Sequence, residues 1–242
     1  MKKVFIAVDT SSIKEARKIV KLSKNKDIEL IFKFGLQFFY SKKGRTFISN
    51  LKKTQVFLDL KLNDIPNTTL AALNSIKDLK NIRYITVHIN AGFETIKKVK
   101  MFAKKKFKNL KVFGVTILTS LNEKSIKEIG HTRSIKDLVK RQAKLAKLSG
   151  LDGIICSGQE VRYVKKICKK MEIVTPGVRF DGEKSQDQKR VLTPTDAFSR
   201  GATSIVVGRS VTKGNIKKNT QTLKKCTNKT KKQLINVKGG VD

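Results

Sequence analysis

The chain has 242 residues and a mass of 27.2 kDa, with 54 Lys+Arg against 19 Asp+Glu and a formal net charge of +35. Its 39% hydrophobic content suffices for one sizeable core, and no apolar stretch is long enough to span a membrane, which sets aside a helical membrane protein. The charge would suit a polyanion, but lysines recur in nearly every segment from Lys14 to Lys238, without zinc-finger spacing, a basic zipper or an aromatic RNA motif, so a lysine-rich enzyme surface is favoured over a nucleic-acid footprint.

The opening MKKVFIAVD has the basic start of a signal peptide, but its apolar run is short and stops at Asp9, so it reads as a first strand. Seven further runs rich in Val, Ile and Phe follow: ELIFKFG (29–35), QVFLDLKL (55–62), YITVHIN (84–90), KVFGVTIL (111–118), DGIICS (152–157), EIVTPGV (172–178) and SIVVGRS (204–210). Helical spacing lies between them. Ser12 is a cap for a helix that places Ile13, Ala16, Ile19, Val20 and Ser23 on one side. Pro66 fits the first turn of another, followed by Leu70, Leu73, Ile76 and Leu79. Ile135, Leu138, Val139, Ala143, Leu145 and Ala146 mark a third, ended by Gly150.

Eight strands alternating with helices predict an α/β chain, a single-domain (β/α)8 barrel over 1–214, with the last helix and a lysine-rich tail over 215–242; an open doubly wound sheet is the alternative. Cys156, Cys168 and Cys226 are few, odd in number and widely spaced, which indicates a reducing cytoplasm rather than a disulfide framework or metal spacing.

In a barrel, chemistry sits at the carboxyl ends of the strands. The third run therefore stands out. Alternation sends Leu58, Leu60 and Leu62 toward the helices and Phe57, Asp59 and Lys61 into the interior, with Asp64 just past the strand. Buried charges need partners, and Lys33 at the end of the second run completes an alternation of lysine and carboxylate. A cationic lysine there can stabilise a developing carbanion and then protonate it. Near the other end of the chain, TPGVRF (175–180) and IVVGRS (205–210) place Gly177, Arg179, Gly208 and Arg209 on the loops where barrels bind phosphate, separated by a polar candidate lid over 181–190. His88 could be a base or a ligand but reads better as a hydrogen-bonded structural residue, and no cluster has metal-site spacing.

The run FLDLKLNDIPNTT (57–69) resembles the signature of the orotidine 5′-phosphate decarboxylase family around its Asp-x-Lys-x-x-Asp tetrad, supported in order by AVD (7–9), FKFG (32–35), ILTS (117–120), TPGVR (175–179), DQKRVLTP (187–194) and IVVGRS (205–210). The resemblance implies a cofactor-free, metal-free conversion of orotidine 5′-phosphate to uridine 5′-phosphate in pyrimidine biosynthesis. It implies that Lys61 protonates C6, that Asp59 faces the substrate carboxylate and that Lys33 links the array to the ribose, whose hydroxyls Asp9 binds. Ser120 would meet the pyrimidine edge. Gln188, Gly208 and Arg209 would hold the phosphate, with Val178 and Arg179 beside them. Asp64, with Ile65 and Thr68, would complete the site of the neighbouring subunit, so a homodimer follows. The HINAG run (88–92) departs from the family's small residues at this place, and bulkier Ile89 and Asn90 would alter the fourth loop. A sugar-phosphate decarboxylase or aldolase of the same superfamily is the nearest rival, but it would want an acidic ligand where FKFG stands. A charge-driven nucleic-acid binder and a degenerate barrel kept as a scaffold are more distant alternatives.

Overall fold

Every apolar run of the sequence becomes a parallel strand in the computed structural model, which describes residues 2–23, 28–183 and 192–236, with side chains as far as 228. In chain order, β1 (Lys3–Ala7) leads to α1 (Ile13–Leu22), and β2 (Glu29–Gly35) to the short α2 (Leu36–Phe39) and α3 (Gly44–Ser49). β3 (Val56–Leu62) leads to α4 (Pro66–Ser75), and β4 (Ile82–His88) to a 3-10 turn (Ile89–Ala91) and α5 (Phe93–Lys106). β5 (Lys111–Val115) is followed by α6 (Glu123–Glu128) and α7 (Ile135–Leu148), and β6 (Gly153–Ile155) by α8 (Val161–Ile167). β7 (Glu172–Val178) precedes α9 (Pro194–Ser199); β8 (Ser204–Val207) precedes α10 (Arg209–Thr212) and α11 (Ile216–Asn236). Each strand pairs with the next and β8 pairs in parallel with β1, so the sheet is a closed (β/α)8 barrel rather than an open doubly wound sheet.

Local chemistry sets the helix ends. The Glu15 N–H donates to Ser12 Oγ at 3.3 Å, satisfying one orphan donor of α1. Pro66 opens α4, where its missing N–H costs nothing. Beyond α7, Gly150 takes φ +70° and the Leu151 N–H reaches back to the Ala146 carbonyl at 3.1 Å, a left-handed stop that leaves the next strand free to start. The first helix buries Ala16, Ile19 and Val20, and α7 buries Ile135, Val139, Ala143 and Ala146, as their spacing requires.

Strand alternation divides the core in two. Outward residues such as Leu58 and Leu60 join the helices in one large apolar layer, while Phe5, Ile31, Phe57, Tyr84 and Phe113 fill the barrel interior. The interior rings meet edge to face, Phe5 to Phe57 at 4.8 Å and Phe5 to Tyr84 at 5.1 Å between centroids. Such pairs add about 0.5–1.5 kcal/mol each beyond their burial. Below them Glu172 binds Lys3 at 2.9 Å and also Lys111, closing the amino-terminal end. The aromatic plug is thus a dry floor, and any cavity must lie above it. From the chain beyond 214, Ile216 and Leu223 are buried in the same outer layer, and α11 packs on α9. Among the described residues no helix is long and apolar enough to cross a membrane.

Candidate active site

Above the floor, the carboxyl ends of the strands surround a cavity of about 480 Å³. Its wall includes Asp9 from the end of β1, Lys33 from β2, Asp59 and Lys61 from β3, Pro176, Gly177 and Arg179 from β7 and its loop, and Gly208 and Arg209 from the end of β8. Residues far apart in the chain therefore meet because parallel strands share one polarity and closure brings β8 beside β1.

Asp59 is the centre of the charge array. Lys61 Nζ donates to its Oδ1 at 2.9 Å, and Lys33 Nζ lies 3.3 Å from its Oδ2. Lys33 also donates to Asp9 Oδ1 at 3.5 Å. Burial alone would push the Asp59 carboxyl up, but the two ammonium groups overcome it and hold the group below the ordinary carboxylate range. Burial likewise works against the Lys33 cation, and Asp59 and Asp9 more than offset it, raising Lys33 above the ordinary lysine value. Asp59 and Lys33 are accordingly both charged at neutral pH. Both lysines line the cavity, and the side chain of Lys61 is the more open of the two, 34% exposed against 10% for Lys33.

The backbone at Lys61 is unusual. It adopts φ +49°, a left-handed conformation that residues with a Cβ enter at a cost of about 1–2 kcal/mol. Its N–H donates to Thr86 Oγ1 at 2.7 Å, and the Thr86 hydroxyl donates to Asp59 Oδ1 at 3.1 Å. Thr86 is a member of the array that the charged motif did not disclose. The signal was present: in YITVH, Tyr84, Thr86 and His88 alternate onto the same interior face as Asp59.

The opposite side of the mouth carries Gly177 and Arg179 after β7 and Gly208 and Arg209 after β8. β7 carries an extra residue against β8 between Thr175 and Val178, where Pro176 offers no N–H and Gly177 takes φ +73°. This bends Pro176 and Gly177 into the wall. Thr10 donates to Glu15 Oε2 at 2.7 Å and Lys213 reaches Glu15 Oε1 at 3.4 Å on the same rim; the hydrogen bond from Thr10 holds the Glu15 carboxyl below its usual range. Glu15 and Lys213 are wall residues that the sequence motifs did not single out. The Ser210 hydroxyl donates to Glu183, so the loop after β7 touches the start of α10.

Other expected site residues lie elsewhere. Asp64 is exposed on the loop after β3, its Oδ1 accepting the Ile65 N–H at 2.7 Å, and Ile65 and Thr68 are exposed beside it; none of the three lines the cavity. Ser120 is exposed in the turn after β5, one residue past Thr119 of the wall. Val178 is fully buried toward the helices, although Arg179 next to it lines the cavity. Gln188 lies outside the described residues. His88 caps the 3-10 turn, its Nδ1 accepting the Asn90 N–H at 3.2 Å, and burial together with the Lys61 charge lowers its pKa. In the HINAG turn Ile89 is buried and Asn90 accepts from Gln142 Nε2 at 2.8 Å, which ties the bulkier residues to α7. No group of three His, Cys, Asp or Glu among the described residues could hold a metal ion.

Three comparisons with known proteins show which family the chain resembles and which fold it shares. The family model described as orotidine 5′-phosphate decarboxylase / HUMPS matches residues 2–225. The orotidine 5′-phosphate decarboxylase of Carboxydothermus hydrogenoformans is 39% identical over 216 residues, covering 86% of this chain and 88% of that one. The enzyme of the same name from Erythrobacter litoralis is 42% identical over 214 residues, covering 88% and 92%. Among solved structures, the orotidine 5′-phosphate decarboxylase of Lactobacillus acidophilus superposes with a TM-score of 0.81 at 30% identity, covering 93% of this chain and 99% of that chain.

Proposed function

The chain belongs to the orotidine 5′-phosphate decarboxylase / HUMPS family, and from that membership we propose how its barrel mouth converts orotidine 5′-phosphate to uridine 5′-phosphate. The observation that carries the reading is one buried carboxylate, Asp59, held between two lysines of the cavity wall, of which Lys61 is the more exposed. The substrate's C6 carboxylate sits against Asp59. The C6–carboxylate bond breaks, carbon dioxide leaves and the electron pair remains on C6. The Lys61 ammonium stabilises that carbanion by proximity and then transfers a proton to C6; the resulting neutral amine regains its proton from solvent. Lys33 keeps Asp59 ionised and, with Asp9, reaches the ribose. The 5′-phosphate lies between Gly208 and Arg209 on one side and Arg179 on the other, with Val178 behind and Gln188 as a further ligand. Ser120 meets the pyrimidine edge.

The reading extends to a homodimer with shared sites. Asp64, Ile65 and Thr68 stand together, exposed, on the loop and first turn after β3, outside the cavity of their own chain. Leu36, Tyr40 and Phe93, also exposed, follow the neighbouring strands β2 and β4, so the segments on either side of the Asp64 loop offer an apolar rim. Such a rim fits a second copy that brings Asp64 to its partner's array. We read the enzyme as cytoplasmic, in keeping with three cysteines that are few and widely spaced in the sequence.

Turnover of orotidine 5′-phosphate, followed by its loss of absorbance with and without chelator, tests the reaction. Loss of turnover in chelator would favour the sugar-phosphate branch of the family. Lys61→Ala should lower kcat by about 10²- to 10⁴-fold, the range of a missing general acid. Near-parental kcat in Lys61→Ala would refute the role given to this lysine.

A further inference from the structure

The register of the barrel sets Thr86 opposite an irregular stretch of β3. From Leu58 to Leu62 the chain advances four residues while β4 advances only from Ile85 to Val87. Asp59, Leu60 and Lys61 thus face a stretch of β4 that offers one residue, Thr86. A bulge of this kind leaves ladder groups without backbone partners and re-aims the side chains around it. Here Lys61, at φ +49°, is the re-aimed residue, and its N–H is taken by a side chain, Thr86 Oγ1, at 2.7 Å. The hydroxyl proton goes to Asp59 Oδ1 at 3.1 Å, the same oxygen that accepts from Lys61 Nζ at 2.9 Å. Thr86 is 0% exposed, so water does not compete for either bond.

We propose that Thr86 is a positioning residue for decarboxylation, its single hydroxyl setting the distance and angle between the Asp59 carboxylate and the Lys61 ammonium. It holds Asp59 through the side chain and Lys61 through the backbone. The proposal rests on the roles given above to Asp59 and Lys61. A hydroxyl suits the place because it can accept from an N–H and donate to a carboxylate at once, which an aliphatic side chain of the same shape cannot do. Without it the ion pair between Lys61 and Asp59 can still close, but nothing pins the left-handed backbone that aims Lys61 at the cavity.

Thr86→Val removes both hydrogen bonds while keeping shape, Thr86→Ala removes them and leaves space, and Thr86→Ser restores the hydroxyl. Steady-state kinetics, with folded sites counted by uridine 5′-phosphate binding, should show kcat lowered by about 10- to 100-fold in the valine and alanine variants, the cost of a reacting group displaced by about an ångström. KM should stay near the parent, because the groups assigned to phosphate and ribose are on other strands. The serine variant, which keeps both bonds, should recover kcat to within about threefold of the parent. A valine variant is read only if it folds, and the alanine variant replaces it otherwise. Parental kcat per folded site in either variant overturns the proposal, as does a serine variant as impaired as valine, or a rise in KM matching the fall in kcat. Lys61→Ala is measured alongside. If it is inactive while Thr86→Val is fully active, only the role of Thr86 fails; if it is itself active, the role of Lys61 fails and the proposal falls with it.

Discussion

Asp59 shows why a buried charge need not be a defect. Taking one carboxylate out of water costs several kcal/mol, and here two ammonium groups and one hydroxyl answer it. The pairing also sets the pH range. Asp59 is depressed, so its contribution to stability is present above about pH 3.9, the unfolded value, and is lost as pH falls through the lower folded value. Lys33 is raised, so its contribution is complete below about pH 10.4 and is lost as pH climbs through the higher folded value. Between those limits this network makes no slope. Asp59→Asn would leave Lys33 with Asp9 alone, at 3.5 Å and on a carboxylate that is itself largely exposed. We predict a loss of about 3 kcal/mol at pH 7, the scale of breaking a buried pair. Burial would then govern Lys33 and push its folded pKa below the unfolded one, so the variant should gain stability between neutral pH and about pH 10. Urea unfolding across that range checks it: a variant with parental stability and no slope would show that Lys33 does not depend on Asp59. Asp59, Lys61 and Lys33 were legible because charges on an alternating apolar run are conspicuous. For Thr86 alternation disclosed only the interior face, because a threonine in a strand is ordinary until its partner across the ladder is known.

The strands themselves were readable in place, since runs of Val, Ile and Phe with polar flanks leave little choice, but the runs at 111–118, 152–157 and 204–210 outlast their strands by two or three residues at the carboxyl end. The short helices α2, α3, α6 and α10 were not, because four to six residues hold too few turns to show a period. Bulges were invisible for a different reason: register belongs to two strands and cannot be read from one. Yet both pairings that carry a shift at the carboxyl end, β3 with β4 and β7 with β8, have it beside wall residues, Lys61 in one and Gly177 in the other. A regular strand would aim these residues along the ladder; the bulge turns them to the mouth. Gly177→Ala tests the second. At φ +73° an alanine should cost about 1–2 kcal/mol of stability, and easing that strain should shift Pro176 and Arg179. KM for orotidine 5′-phosphate should rise more than kcat falls, since the affected rim is the one assigned to phosphate. Parental KM in a destabilised variant would show that the Gly177 conformation serves folding alone.

At the scale of the molecule, alternation of strand and helix left open whether the sheet closed, and the β1–β8 pairing is what closes it and sets Gly208 beside Asp9. The net charge of +35 spreads over the chain and gives any anion a favourable approach, so by itself it does not choose a substrate. Asp64 raises the remaining question at this scale, because it follows Lys61 by three residues yet stands outside its own cavity. If two copies exchange Asp64, each active site draws Lys61 from one chain and Asp64 from the other. Lys61→Ala and Asp64→Ala homodimers would then both be inactive. A mixed dimer would carry both lesions in one site and neither in the other. Random reassembly makes half the dimers mixed, so equal mixing should restore about a quarter of parental activity under two-fold symmetry. A site built within one chain predicts no recovery, because every site would keep one lesion. Mixed dimers isolated with two different affinity tags separate the cases: half-parental activity per dimer supports the exchange, and none refutes it.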